Sequence, residues 1–385
     1  MSVHQGSRPE VVVVGAGAAG GAAAFHLAKL GRDVLLLDGA RFPRAKPCGG
    51  GMAASVQRLF PFDLSPAVDG VIEQVRFTWA LGDPVRADLP GDAPFWIVRR
   101  SCLDSFLTEQ AVAAGARFHS GTVVEQITPR DGGWAVGCRS VDGGDNRLVE
   151  TAAVVIADGS DSRLAGPLGL GSRQPRYAST LSVEVEGAVE DPHTARFDFG
   201  LVRHGFCWAF PRQGGYSIGL GTFIGRDELQ AETVLASLLP SLGLAPEAGL
   251  RTRGRLRVWD GHHSLHGDGL VLAGDAASLC DPFLAEGLRP ALFSGCRAAE
   301  AVDRWLAGDS EALAGYSSSM RLEWGESMAW GRRIAQVFYR VPKVGYQLGL
   351  KRPTAPRRIA QILSGEMGYG DIAQRVIRRL LLQRG

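Results

Sequence analysis

Three groups of residues in this sequence have the types and spacing that chemistry requires. The first is Gly15-Ala16-Gly17-Ala18-Ala19-Gly20, with Asp38 lying 23 residues beyond Gly15. A run of this kind cradles a pyrophosphate. Gly15 permits a tight turn, Gly17 lets the main chain approach the phosphates, and Gly20 lets a helix close onto a strand. Ala19 falls in the first helical turn, where free N–H groups and the positive end of the helix dipole favour an anion. Asp38 is placed to accept hydrogen bonds from an adenosine ribose. The second group is a pair of acid–glycine steps, Asp158-Gly159 and Gly274-Asp275, each closing an apolar run. The third joins Cys48, held in Pro47-Cys48-Gly49-Gly50-Gly51, to the aromatic segment Phe206-Cys207-Trp208-Ala209-Phe210-Pro211.

These residues need elements to hold them. Glu10–Val14 reads as a strand buried on both faces, followed by an alanine-rich helix to about Leu30 and a second strand, Asp33–Leu37. Strand, glycines, helix, strand and terminal acid in register predict a dinucleotide site. Two further strands, Val154–Ala157 and Leu270–Ala273, end in Asp158-Gly159 and Gly274-Asp275. A nicotinamide dinucleotide needs neither. An extended flavin dinucleotide needs both, with Asp275 ahead of a helix around Gly287–Gly295. The expected cofactor is therefore FAD.

Between about Tyr177 and His262 the pattern changes to period two, as in Leu181–Glu186 and Tyr216–Gly221. That predicts an antiparallel sheet with one face covered, inserted into the cofactor domain. The expected fold class is α/β: a discontinuous Rossmann-like FAD domain (1–70, 98–175 and 263–310), an inserted sheet domain for substrate (71–97 and 176–262), and a helical C-terminal region (311–385). A Rossmann fold alone names no reaction.

The Gly15–Gly20 turn, Asp158-Gly159 and Gly274-Asp275, in this order, resemble the FAD-binding set of para-hydroxybenzoate-hydroxylase-like flavoproteins. Within that superfamily, Phe42–Gly51 with its Pro-Cys-Gly-Gly step is similar to the signature of geranylgeranyl reductases. Gly274–Ala277 leading to Asp281–Pro290 is similar to it as well. The resemblance runs along nearly the whole chain, including the tail around Lys351-Arg352-Pro353. It implies that Cys48, Gly49 and Gly50 lie beside the isoalloxazine, with Asp158, Gly274, Asp275, Gly287 and Leu288 also holding FAD. It further implies that Arg100 reaches the pyrophosphate and that Val124 offers main-chain bonds near the adenine. Gly51, Phe206, Trp208, Phe210 and Pro211 would line an apolar substrate tunnel. The family's Pro-x-x-Tyr-x-Trp-x-Phe-Pro motif is kept at Trp208, Phe210 and Pro211, but Arg203 replaces its proline and Phe206 its tyrosine. The tunnel wall survives that change; a phenol able to relay a proton does not.

The implied reaction is saturation of carbon–carbon double bonds in a geranylgeranyl-type prenyl chain, by hydride from reduced FAD. Cys48 and an ordered water are the candidate proton donors, and NADPH or reduced ferredoxin the candidate electron sources. Two alternatives share the cofactor contacts: an aromatic-ring monooxygenase, and a flavoprotein that binds prenyl lipid or quinone and passes electrons without altering carbon. The substrate class in view is a prenylated small molecule or lipid. Nothing points to nucleic acid.

Composition bounds the rest. At 385 residues with 45% hydrophobic and 21% charged residues, the chain is globular and too long for one small core. Six scattered cysteines without a Cys-x-x-Cys pair, and no leader before the first strand, favour a reducing cytoplasm. Eight histidines give no metal pattern, and His262, His263 and His266 read as surface residues. The net charge of +2 is uneven: from Arg321 onward thirteen Lys/Arg face four Asp/Glu, a local +9 that leaves −7 elsewhere. A final helix, about Asp371–Gln383, carries an apolar stripe flanked by arginines. The basic C-terminal region is thus the expected place for a ferredoxin or for peripheral membrane contact.

Overall fold

The structure is a computed structural model that describes residues 8–92, 94–143, 146–223, 230–352 and 354–374. Strand β1 (Val11–Val14), helix α1 (Ala18–Lys29) and strand β2 (Val34–Asp38) form the first βαβ unit. β1 is a central strand, its edges paired in parallel on either side with Val11 opposite both Val34 and Ala153, and its four valines are all buried. The six-stranded sheet runs His266–Gly267, Leu270–Leu272, Ala153–Ile156, β1, β2, Arg117–Ser120, all parallel but for the first. The chain thus leaves this sheet after Ile156 and returns at His266.

The intervening chain supplies five strands, and 74–79 and 82–88 two more, of a seven-stranded sheet in the order 250–258, 176–186, 215–222, 205–212, 194–199, 74–79, 82–88. It is antiparallel throughout except where Thr194–Phe199 pairs in parallel with Gln74–Trp79. One face carries Phe197, Phe206, Trp208 and Phe210 toward the main core; the other packs Leu181, Val183 and Ile218 under the helix Ala231–Leu238. Period two in the sequence is the cause of that division. A small sheet of Gly51–Ala53, Phe95–Val98 and Val68–Ile72 lies between the lobes, and a three-stranded sheet (122–130, 133–140, 147–151) flanks the cofactor domain. The strand Phe95–Val98 therefore joins this small sheet rather than the seven-stranded one.

The C-terminal part is helical: Leu288–Leu306, Ala312–Met320, Glu326–Arg340 and Ala355–Leu363, with π-helical turns at Arg321–Gly325 and Gly345–Leu350. Pro342 opens a short helix, Pro342–Val344, where its missing N–H costs nothing. The apolar stripe expected at Asp371–Gln383 falls almost wholly outside the described residues, as does Pro353. No helix among the described residues is long and apolar enough to cross a membrane.

Candidate functional site

The cradle forms at the end of β1. Gly15 has φ +94°, and a Cβ there would meet the Ala157 carbonyl at 2.4 Å. A Cβ on Gly20 would lie 1.7 Å from the Gly15 carbonyl, so α1 can close on β1 only through glycine. Gly17 differs: a Cβ there would meet no backbone but two guanidinium nitrogens, Arg100 Nη2 at 3.3 Å and Arg44 Nη2 at 3.4 Å. Two cations thus converge on the open start of α1, where free N–H groups already favour an anion. Asp38 accepts hydrogen bonds from the Ala16 N–H and the Ala40 N–H, both at 2.8 Å, which fixes it beside the cradle.

Asp104 holds the two arginines in place. Fully buried on α2 (Arg100–Ala113), it accepts from Arg100 Nε at 3.0 Å and Nη2 at 2.8 Å, and pairs with Arg44 Nη2 at 3.1 Å. Burial works against the charge on Arg100, but Asp104 together with Cys48 and Asp275 outweighs it and keeps the guanidinium firmly protonated. A cation at a helix start is unfavourable unless an anion faces it. Asp104 supplies part of that anion, and a diphosphate would supply the rest.

From the cradle a cleft of about 300 Å3 runs toward the seven-stranded sheet. Gly17, Ala19, Arg100, Gly274, Asp275, Gly287 and Leu288 line its cofactor side. Gly287 stands at the start of the nineteen-residue helix Leu288–Leu306, a Cβ there lying 3.6 Å from Asp275 Oδ1. Burial pushes the Asp275 carboxyl up, partly offset by Lys46, while burial also pushes the Lys46 ammonium down. The two line the same cleft.

At the far end the Cys48–Gly51 turn meets the aromatic wall. A Cβ on Gly49 would lie 2.9 Å from Trp208 Nε1, and one on Gly51 2.6 Å from Phe95 Cζ. Gly50, at φ +76°, would drive a Cβ to 2.1 Å from the Val98 carbonyl. The Gly50 N–H lies 3.3 Å from the Cys48 sulfur and donates to it. Phe206, Trp208 and Phe210 share one face of the strand Gly205–Arg212, and Phe197 and Phe223 complete the wall at ring separations of 4.9–5.8 Å. Trp208 Nε1 is buried without a hydrogen-bond partner, a donor left for a ligand.

Gly15, Gly20 and Asp38 belong to the cradle and not to the cleft lining; Pro211 and Asp158, expected on the cleft, do not line it, nor does Val124, expected near the adenine. Pro211 falls on the opposite face of its strand, the side of Cys207 and Ala209, because alternate residues point oppositely. Val124 packs against the main core, and its neighbour Val123 touches Gly39 just past Asp38. Asp158 does not line the cleft, and burial pushes its carboxyl up; Ala157 and Gly159 border the cleft in its place. Of the histidines read as surface residues, His263 and His266 are half-buried and bonded to Asp260 and Ser317, both at 2.7 Å.

Others were missed. Lys46 lines the cleft and Arg44 pairs with Asp104, both from the segment just before Cys48. The i,i+4 spacing of Arg100 and Asp104 was the available signal. Glu286 borders the cleft, pairs with Arg289 at 2.8 Å, and keeps its Oε1 buried without a partner; burial lifts its carboxyl to about 7. No local pattern announces that.

A flavin dinucleotide fits this set: an anion cradle with two arginines, a polar middle of Asp275 and Lys46, and a glycine turn where a flat ring can press on the backbone. Fold and site together define an FAD-dependent oxidoreductase. The sequence profile of the NAD(P)-binding Rossmann-like domain matches residues 13–66. Digeranylgeranylglycerophospholipid reductase 2 of Methanothermobacter thermautotrophicus is 30% identical over 83% of this chain and 85% of its own. Menaquinone reductase of Mycolicibacterium smegmatis is 30% identical over 86% and 83%, and geranylgeranyl diphosphate reductase of Rhodobacter capsulatus 32% over 77% and 75%. The chain belongs to the geranylgeranyl reductase family of FAD-dependent oxidoreductases. Its fold matches a geranylgeranyl bacteriochlorophyll reductase-like protein of Thermoplasma acidophilum, with a TM-score of 0.78 at 20% identity over 92% and 91% of the two chains. It also matches the flavin-dependent brominase Bmp2, with a TM-score of 0.72 at 18% identity over 97% and 100%.

Proposed function

We propose that this protein reduces carbon–carbon double bonds of a prenyl chain of geranylgeranyl type. The observation that carries the reading is the direct contact between the Cys48–Gly51 turn and the rings of Trp208, Phe210 and Phe95. An apolar wall thereby meets the reactive end of the cofactor cleft. The relatives' names support it, since digeranylgeranylglycerophospholipid and menaquinone both carry prenyl chains.

When bound, reduced FAD supplies the hydride; a proton must reach the other alkene carbon. The protein's share is positioning. Phe206, Trp208 and Phe210 hold an apolar chain and exclude water, and Arg44, Arg100 and the start of α1 hold the diphosphate. Cys48 borders the cleft at the turn and is the proposed proton donor, alone or through a water. An isolated alkene accepts hydride poorly, so alignment of chain and proton carries much of the barrier reduction. With one dinucleotide cradle among the described residues, NADPH docking transiently or reduced ferredoxin supplies the electrons.

The test is mass spectrometry of a panel of prenyl lipids incubated with the photoreduced protein. A gain of two hydrogens per double bond is expected. A gain of oxygen would replace the reading with a monooxygenase, and tight lipid binding with unchanged mass would replace it with an electron carrier.

A further inference from the structure

The helical stretch after Glu326 turns a bare apolar face outward. Val337, Val341, Val344 and Leu348 recur at spacings of four, three and four, and are 69%, 48%, 52% and 58% exposed. They run along Glu326–Arg340, Pro342–Val344 and the turn Gly345–Leu350. Val341 lies at the break between two helices (φ −132°, ψ 64°), so the row crosses from one to the next; scattered exposed apolar residues are ordinary, but four within twelve residues are not. The inner side of the same helix is committed: Phe338 packs on Phe199 at 5.3 Å, and Tyr339 on Phe223 of the aromatic wall at 6.3 Å.

Charge says what covers the row. From Ser327 to Gly365 the sequence has eight Lys/Arg and no Asp/Glu. Lys351 is paired with Asp83 at 2.6 Å, but exposed Arg340, Lys343 and Arg352 make no ion pair among the described residues. A second copy of the chain would set these cations against their own kind. So would the segment 375–385, which carries four arginines and no acid. Short apolar side chains among free cations match a layer with anionic headgroups above and hydrocarbon below.

We infer that this face docks the protein on anionic phospholipid bilayers. Docking holds the aromatic wall about one helix diameter, roughly 10 Å, from the lipid. The inference is independent of the reaction proposed above.

The test uses the full flavin-loaded chain with vesicles of phosphatidylcholine alone and of phosphatidylcholine mixed with phosphatidylglycerol. The protein is expected to sediment with the mixed vesicles and to release as salt rises. The double variants Val341→Asp/Val344→Asp and Arg340→Glu/Lys343→Glu should each partition about tenfold more weakly, with flavin spectrum and thermal midpoint unchanged. Equal binding to both vesicles, or variants that bind like the parent, would overturn the inference. So would a parent that ignores vesicles but dimerises where the variants do not.

Discussion

Trp208 and Gly219 stand opposite each other on neighbouring strands, and the indole fills the space a Gly219 side chain would need: a Cβ there would lie 2.0 Å from Trp208 Cζ2. The ring's place in the cleft therefore depends on the absence of a side chain on the next strand. Gly219→Ala should push the indole into the cleft. Flavin loading should persist while affinity for the prenyl substrate falls by about tenfold or more, as expected from 1–3 kcal/mol of overpacking. Substrate titration monitored by flavin absorbance checks it, and an unchanged Kd would remove Trp208 from the binding wall.

Gly17 and Gly20 should fail differently. A Cβ on Gly20 strikes a carbonyl at 1.7 Å, so Gly20→Ala should prevent α1 from closing and abolish folded protein. Gly17→Ala meets no backbone, only guanidinium nitrogens at 3.3 and 3.4 Å, so it should fold and lose FAD affinity. Circular dichroism beside flavin absorbance separates the two outcomes.

Asp104 offsets two guanidinium groups that would otherwise repel each other. Asp104→Asn should destabilise the flavin-free protein by about 3–5 kcal/mol, the usual cost of stripping one partner from a buried pair. Saturating FAD should recover more stability in the variant than in the parent, because its diphosphate returns negative charge to Arg44 and Arg100. Thermal midpoints with and without FAD give the comparison; equal gains would show that the arginines do not face the diphosphate.

Glu286 predicts a pH dependence. Burial lifts its carboxyl from 4.5 to about 7, so the folded protein keeps a proton that the unfolded chain releases. Between those values the folded state binds more protons, and its contribution to stability must fall as pH rises from about 4.5 to about 7. Asp158, Asp275 and Asp281 are raised by burial too, so the readout is the difference between parent and Glu286→Gln. The variant should lose a pH-dependent part on the order of 3 kcal/mol in chemical denaturation across that window. Parallel curves would show that Glu286 is ionised throughout.

The cradle was legible because its glycines encode backbone geometry that β1 and α1 impose locally, within a few residues. The sharing of one sheet face by Phe206, Trp208 and Phe210 was legible through period two, and the same rule, applied one residue further, would have excluded Pro211. What the sequence withheld is convergence. Phe95 and Phe197 reach one wall from two distant strands and Phe223 from just past the end of a third, and Glu286 owes its raised carboxyl to a pocket that also holds Arg289, Asp281 and Tyr369. The exposed row from Val337 to Leu348 was hidden for another reason. Helical spacing reveals that a stripe exists but not whether the fold covers it.

The glycine turn at 48–51 meets the rings of the neighbouring lobe with no side chain of its own on Gly49 or Gly51. Lock and key are therefore written in separate parts of the gene: the rings of Trp208 and Phe210 in the inserted sheet and that of Phe95 in the small sheet, the empty space in the nucleotide half. Chimeras that exchange the insert between relatives should inherit a new bore only when every ring facing that turn is exchanged along with it.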